Sequence, residues 1–74
     1  MGGKRSSITN SVRDARTAAG FSQQKLGDAV GVTRQTIIAM ESGRYAPSLE
    51  LAFRLSHVLA QPIESLFHFV PDWT

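Results

Sequence analysis

Ser22-Gln23-Gln24-Lys25-Leu26-Gly27-Asp28-Ala29-Val30-Gly31-Val32-Thr33-Arg34-Gln35-Thr36-Ile37-Ile38-Ala39-Met40-Glu41-Ser42-Gly43 is the stretch that decides the fold of this 74-residue chain. It reads as two short helices joined by a sharp turn. Ser22 is a good N-cap for a helix from about Gln23 to Val30. Phe21 and Leu26 sit at the N′ and N4 positions of a hydrophobic staple. Leu26, Ala29 and Val30 form the expected buried stripe. Gly31 supplies the positive φ that a tight bend needs. Thr33 caps the next helix, Arg34 to about Ser42, with Val32 and Ile37 repeating the staple. Gly27 costs about 1 kcal/mol of helix propensity relative to alanine, so it is expected where two helices approach closely.

Capping residues and breakers divide the rest of the chain in the same way. Upstream, Thr9 or Asn10 can cap a helix from about Thr9 to Ala19, with Ile8, Val12, Ala15, Arg16 and Ala19 on one face and Gly20 as the stop. Downstream, Arg44-Tyr45-Ala46-Pro47 is a loop. Ser48 caps a helix from about Leu49 to Leu59, with Leu51, Leu55, Val58 and Leu59 in its stripe. Pro62 opens a short helix to about Phe67, with Ile63, Leu66 and Phe67 inward. No stretch alternates with period two, so strands are not expected. The prediction is an all-α, compact five-helix domain over residues 9–68. It is preceded by a flexible basic arm (1–8) and followed by an apolar tail (69–74).

Composition narrows the function. The chain is 42% hydrophobic, which suits a folded domain, and has no cysteine, hence no disulfide and no Cys-type zinc site. No run approaches the ~18 apolar residues of a membrane span. The basic N-terminus lacks an apolar segment after it and is not a secretory signal. A cytoplasmic location is expected. Charge is unevenly placed. Residues 1–44 carry Lys4, Arg5, Arg13, Arg16, Lys25, Arg34 and Arg44 against Asp14, Asp28 and Glu41, a balance of +4. Residues 45–74 carry Arg54 against Glu50, Glu64 and Asp72, a balance of −2. The basic half points to a polyanionic partner. There is no glycine-rich phosphate loop and no histidine–carboxylate cluster, so an enzyme is not expected, and neither is a cofactor or metal. His57 and His68 lie too far apart to read as a chelating motif and are expected at the surface.

The paired segments 22–30 and 34–42 meet the physical specification of a DNA-reading helix-turn-helix. The second helix buries a narrow face through Ile37 and Met40 and leaves a hydrogen-bonding face free. Arg34 can bond bidentately to guanine and Gln35 to adenine; which bases they choose stays open. Ile38 and Ala39 could pack on thymine methyl groups; for Ile38 a stray exposed apolar residue is the competing reading.

The same run, with Val12-Arg13-Asp14-Ala15-Arg16 before it and Gly43-Arg44-Tyr45-Ala46-Pro47-Ser48-Leu49-Glu50-Leu51-Ala52 after it, resembles the helix-turn-helix regulators of the phage lambda Cro/repressor type. It is similar to a subgroup of very short, stand-alone members. The resemblance covers about Val12 to Phe67, with Gly27 standing where the family usually carries alanine. It implies a five-helix bundle and a transcriptional regulator, a repressor by preference. It also implies base contacts from Arg34 and Gln35, a bracing and phosphate-binding role for Gln23, and an ion pair between Arg16 and Glu41. A buried carboxylate needs such a partner. Thr33, Thr36, Ser42, Arg44 and Tyr45 complete the candidate phosphate contacts, which set register and carry no sequence information. An antitoxin or interaction adaptor on the same fold is the alternative function.

The expected partner is a palindromic duplex operator bound by a homodimer, with no small-molecule effector. Ile63, Leu66, Phe67, Phe69, Val70 and Trp73 crowd six large apolar groups into eleven residues and are the candidate dimer surface. Folding back of Phe69 to Trp73 over the monomer's own core is the other reading of that tail.

Overall fold

The computed structural model describes residues 8–71. Its elements follow in the order β1 (Ile8–Asn10), α1 (Val12–Ala18), α2 (Gln23–Val30), α3 (Arg34–Glu41), α4 (Leu49–Leu59), α5 (Ile63–Leu66) and β2 (Phe67–Phe69). The five helices stand where the sequence places them. Three of their caps are made as expected: Ser22 Oγ accepts from the Lys25 N–H at 3.0 Å, Thr33 Oγ1 from Thr36 at 3.2 Å and Ser48 Oγ from Leu51 at 3.1 Å. Each removes one of the unpaired donors of a helix start.

The two strands correct the expectation that none would form. They pair antiparallel, Ile8 with Phe69, Thr9 with His68 and Asn10 with Phe67. Three residues are too few to show a period, and each strand is completed only by the other end of the domain. The ribbon moves two helix boundaries. Thr9 and Asn10 belong to β1, so α1 starts at Val12, and Phe67 leaves α5 in extended conformation. Asn10 still serves α1, its Oδ1 accepting from the Val12 N–H at 3.1 Å.

One core serves all five helices: Val12, Leu26, Val30, Ile37, Met40, Leu51, Leu55, Leu59 and Leu66 are buried. Ala15, Phe21, Val32, Val58 and Phe67 pack against it. Of the positions expected on inward helical faces, Ala19 and Ala29 are exposed, and so is Ile8, which lies in β1. Helices this short need only two or three anchoring side chains, and the larger Val12, Leu26 and Val30 take those places. Leu66, expected in the inward stripe of the last helix and also on the dimer surface, is fully buried, which bears out the first reading and removes it from the second. α5 is a single turn, and its one buried position falls to Leu66, its last residue.

Gly31 takes φ +83°, and the N–H groups of Gly31 and Val32 both reach the carbonyl of Gly27, at 2.8 and 2.9 Å. This closes α2 and turns the chain into α3. Gly27 itself lies against backbone. A Cβ there would sit 2.8 Å from the Val32 carbonyl oxygen and 3.3 Å from the Thr33 carbonyl carbon. The close approach expected of Gly27 is real, and its partner is the turn that launches α3.

Candidate DNA-reading face

α3 has two faces of opposite character. Ile37 and Met40 are fully buried, whereas Arg34 and Gln35 are exposed at its first turn and Thr36, Ile38 and Ala39 are half-buried beside them. Gln35, Thr36 and Ala39 share a shallow open groove with Arg44 and Tyr45 of the following loop. Five of the candidate base and phosphate residues are thus gathered in one concavity. Thr33 stands at the helix start, where its hydroxyl lies 3.1 Å from that of Thr36.

The loop after α3 is built on two carbonyls. Ser42 Oγ donates to the Ala39 carbonyl at 2.9 Å, and the Arg44 N–H donates to the same oxygen at 3.0 Å. The Gly43 N–H donates to the Met40 carbonyl at 3.1 Å. Arg44 Nε donates to Ser42 Oγ at 3.1 Å, which holds the guanidinium beside the end of the helix. Ser42, Arg44 and Tyr45 are exposed.

Arg16 and Glu41 form the expected ion pair. Arg16 Nε lies 2.6 Å from Glu41 Oε2, and Nη2 donates to Oε1 at 3.3 Å. Their side chains are only 13% and 6% exposed. Arg16 Nη1 also donates to the Phe21 carbonyl at 3.0 Å, and Gln23 Nε2 donates to Glu41 Oε1 at 3.1 Å. One carboxylate therefore joins α1, the start of α2 and the end of α3. A guanidinium fork matched to a carboxylate is the geometry in which such a pair is strongest.

Two further residues brace the helix pair without having been singled out for it. Asn10 Nδ2 donates to the Met40 carbonyl at 2.8 Å, so β1 also holds the end of α3. Arg54 of α4 donates from Nη1 to the Val30 carbonyl at 3.1 Å and pairs through Nη2 with Glu50 Oε2 at 2.6 Å. A positive group at the last carbonyls of α2 favours the helix dipole. The sequence held no signal for either bond beyond the residue types. At the other end of the domain, Ile63 and Phe67 are half-buried, while Phe69 and Val70 are 54% and 64% exposed. Trp73 lies outside the described residues. Leu49, 73% exposed, adds an apolar side chain not counted in that group.

No helix among the described residues is long and apolar enough to cross a membrane. A helix-turn-helix family model matches residues 12–66. The HTH-type transcriptional regulator YgzD of Bacillus subtilis is 47% identical over 60 residues, which cover 81% of this chain and 91% of that protein. The cryptic phage CTXphi transcriptional repressor RstR of Vibrio cholerae is 29% identical over 59 residues, 80% of this chain and 53% of that protein. Among solved structures, the restriction-modification controller protein C.AhdI of Aeromonas hydrophila superposes with a TM-score of 0.68 at 30% identity, covering 73% of this chain and 78% of that one. Two capped helices closed by a glycine turn, with a polar outer face on the second and a family match over nearly the whole described domain, place this chain in the helix-turn-helix family of Cro/repressor-type DNA-binding transcriptional regulators.

Proposed function

We propose that this regulator works in the cytoplasm as a repressor, binding a palindromic operator as a two-fold homodimer. The observation that carries the reading is the placement of Arg34 and Gln35, exposed side by side on the first turn of a helix whose opposite face is fully buried. In this reading Arg34 and Gln35 bond base edges, and Ile38 and Ala39 contact them through methyl groups. Gln23, Thr33, Thr36, Ser42, Arg44 and Tyr45 bind phosphates. Gln23 uses one amide hydrogen on Glu41 and keeps the second for a phosphate oxygen. The Thr33–Thr36 pair consumes one hydroxyl hydrogen and leaves one to donate. RstR, a repressor by name, supports the sign of regulation.

One half-site spans few base pairs, and a two-fold dimer doubles the contacts at a spacing of about one helical turn, ~34 Å. Ile63, Phe67, Phe69 and Val70, with Trp73, remain the proposed interface, joined by Leu49. Ile63, Leu49 and Phe67 line one apolar groove with Ile8, Pro47 and Ala52. An exposed apolar surface of this kind marks an interface more often than a solvated face.

Selection of bound duplexes from a random pool, followed by titration of Gln35→Ala and Arg44→Ala, tests the reading. Gln35→Ala should cost roughly 1–3 kcal/mol at one base pair and relax preference there, whereas Arg44→Ala should weaken all sequences about equally. Sedimentation should show two chains per operator. A single chain on the operator at ~10 micromolar protein would end the dimer reading.

A further inference from the structure

Asn10 makes two side-chain hydrogen bonds that face in opposite directions along the chain. Its Oδ1 accepts from the Val12 N–H at 3.1 Å and so satisfies the first N–H of α1 from the residue before the Ser11 N-cap position. Its Nδ2 donates at 2.8 Å to the Met40 carbonyl, thirty residues away on the last turn of α3. The backbone around it is held firmly: Asn10 pairs with Phe67 in the ribbon, and the Ser11 N–H donates to the Leu66 carbonyl at 2.8 Å.

The oxygen that Asn10 reaches is one of the two on which the loop after α3 is built. Met40 O also accepts from the Gly43 N–H, and the neighbouring Ala39 O accepts from Ser42 Oγ and the Arg44 N–H. Carbonyls at a helix end have no partner within the helix and take what the surroundings offer. Here they are offered a side chain anchored in a different layer of the domain.

We propose that Asn10 is a positioning residue for DNA binding: through the Met40 carbonyl it fixes the last turn of α3, and with it the Ser42–Tyr45 loop, at the height where Arg44 meets the DNA backbone. The inference rests on the reading of that loop as a phosphate contact. Without the bond, Met40 O keeps only Gly43, and the loop loses its tie to the ribbon. A contact that must be held within about half an ångström weakens when its supporting bond is removed.

Asparagine can be split into its two roles. Asn10→Asp keeps the acceptor for the first N–H of α1 and loses the donor, setting a carboxylate oxygen against the Met40 carbonyl. Binding of a selected duplex is measured well below the unfolding transition, so that folded population does not enter. Asn10→Asp should weaken binding about tenfold, the worth of one lost positioning bond. It should leave the selected base preference unchanged and flatten the dependence of log Kobs on log salt by about one phosphate contact. Amide exchange at Gly43 and Arg44 should quicken. Asn10→Ala, read by the same affinity and salt slope, keeps the test intact if the aspartate does not fold. Unchanged affinity and salt slope, with Arg44→Ala still weakening binding, would overturn the role of Asn10 alone. An Arg44→Ala protein that binds as well as the parent would overturn the phosphate reading of the loop, and this inference with it.

Discussion

At its N-terminal end α3 rests on backbone; at its C-terminal end it is gripped by side chains. The start of the helix is set by Gly27, whose missing Cβ lets the Val32–Thr33 turn close onto α2, and by the Thr33 hydroxyl on the Thr36 N–H. Neither of these two contacts involves an ionised group. The end of the helix is set by Glu41, which receives Arg16 and Gln23, and by Met40, whose carbonyl receives Asn10. Close packing of backbone fixes a distance and is insensitive to salt. A buried carboxylate with directional donors fixes an orientation, because any other placement leaves charge without a partner. A rod presented to a DNA groove needs both.

The largest effect is expected at the charged end. Glu41→Ala should destabilise the domain by about 3 kcal/mol, since it strands a guanidinium that is largely removed from water. Urea titration checks this. Glu41→Gln should lose less, because it keeps an acceptor for Gln23. If Glu41→Ala unfolds at the parent midpoint, the polar end contributes no rigidity and the contrast between the ends collapses.

At the packed end, Gly27→Ala sets two effects against each other. Alanine gains about 1 kcal/mol of helix propensity, but overpacking against immovable atoms costs typically 1–3 kcal/mol. The nearest atoms are backbone, so the second effect should win and stability should fall by about 1–2 kcal/mol in thermal denaturation. An increase in melting temperature would show that the turn can retreat from α2, and that distance is not fixed there.

The smallest change is expected for Thr33→Ala. Loss of the cap should cost about 1 kcal/mol. The loss should be nearly the same at low and high salt, since neither partner is charged. A marked salt dependence would mean that the start of α3 is also held electrostatically, which would blur the distinction drawn above.

Much of this architecture is legible in local sequence. Ser22, Thr33 and Ser48 cap the helices they were expected to cap, and Gly31 makes the turn, because capping and positive φ depend on a few consecutive residues. The bounds of α2 and α4 agree with the reading for the same reason. The exposed pair Arg34 and Gln35 follows from periodicity, once Ile37 and Met40 are taken inward. The Arg16–Glu41 pair spans 25 residues and was anticipated through family resemblance together with the requirement that a buried carboxylate be paired.

What only the tertiary structure decided is set by contacts between distant residues. The ribbon joins residues 8–10 to 67–69, and neither strand is long enough to announce itself. Asn10 reads locally as a residue that can serve the start of α1, but its bond to Met40 exists only because the ribbon carries it to the end of α3. Arg54 reaches the last carbonyl of α2 for the same kind of reason. Leu66 and Phe69 read alike as apolar residues near the C-terminus, yet one is in the core and the other is half-exposed on the ribbon. Apolarity in a sequence says that a side chain will leave water if it can; which of several such side chains finds room depends on the space the other helices leave, and that space does not exist until they have packed.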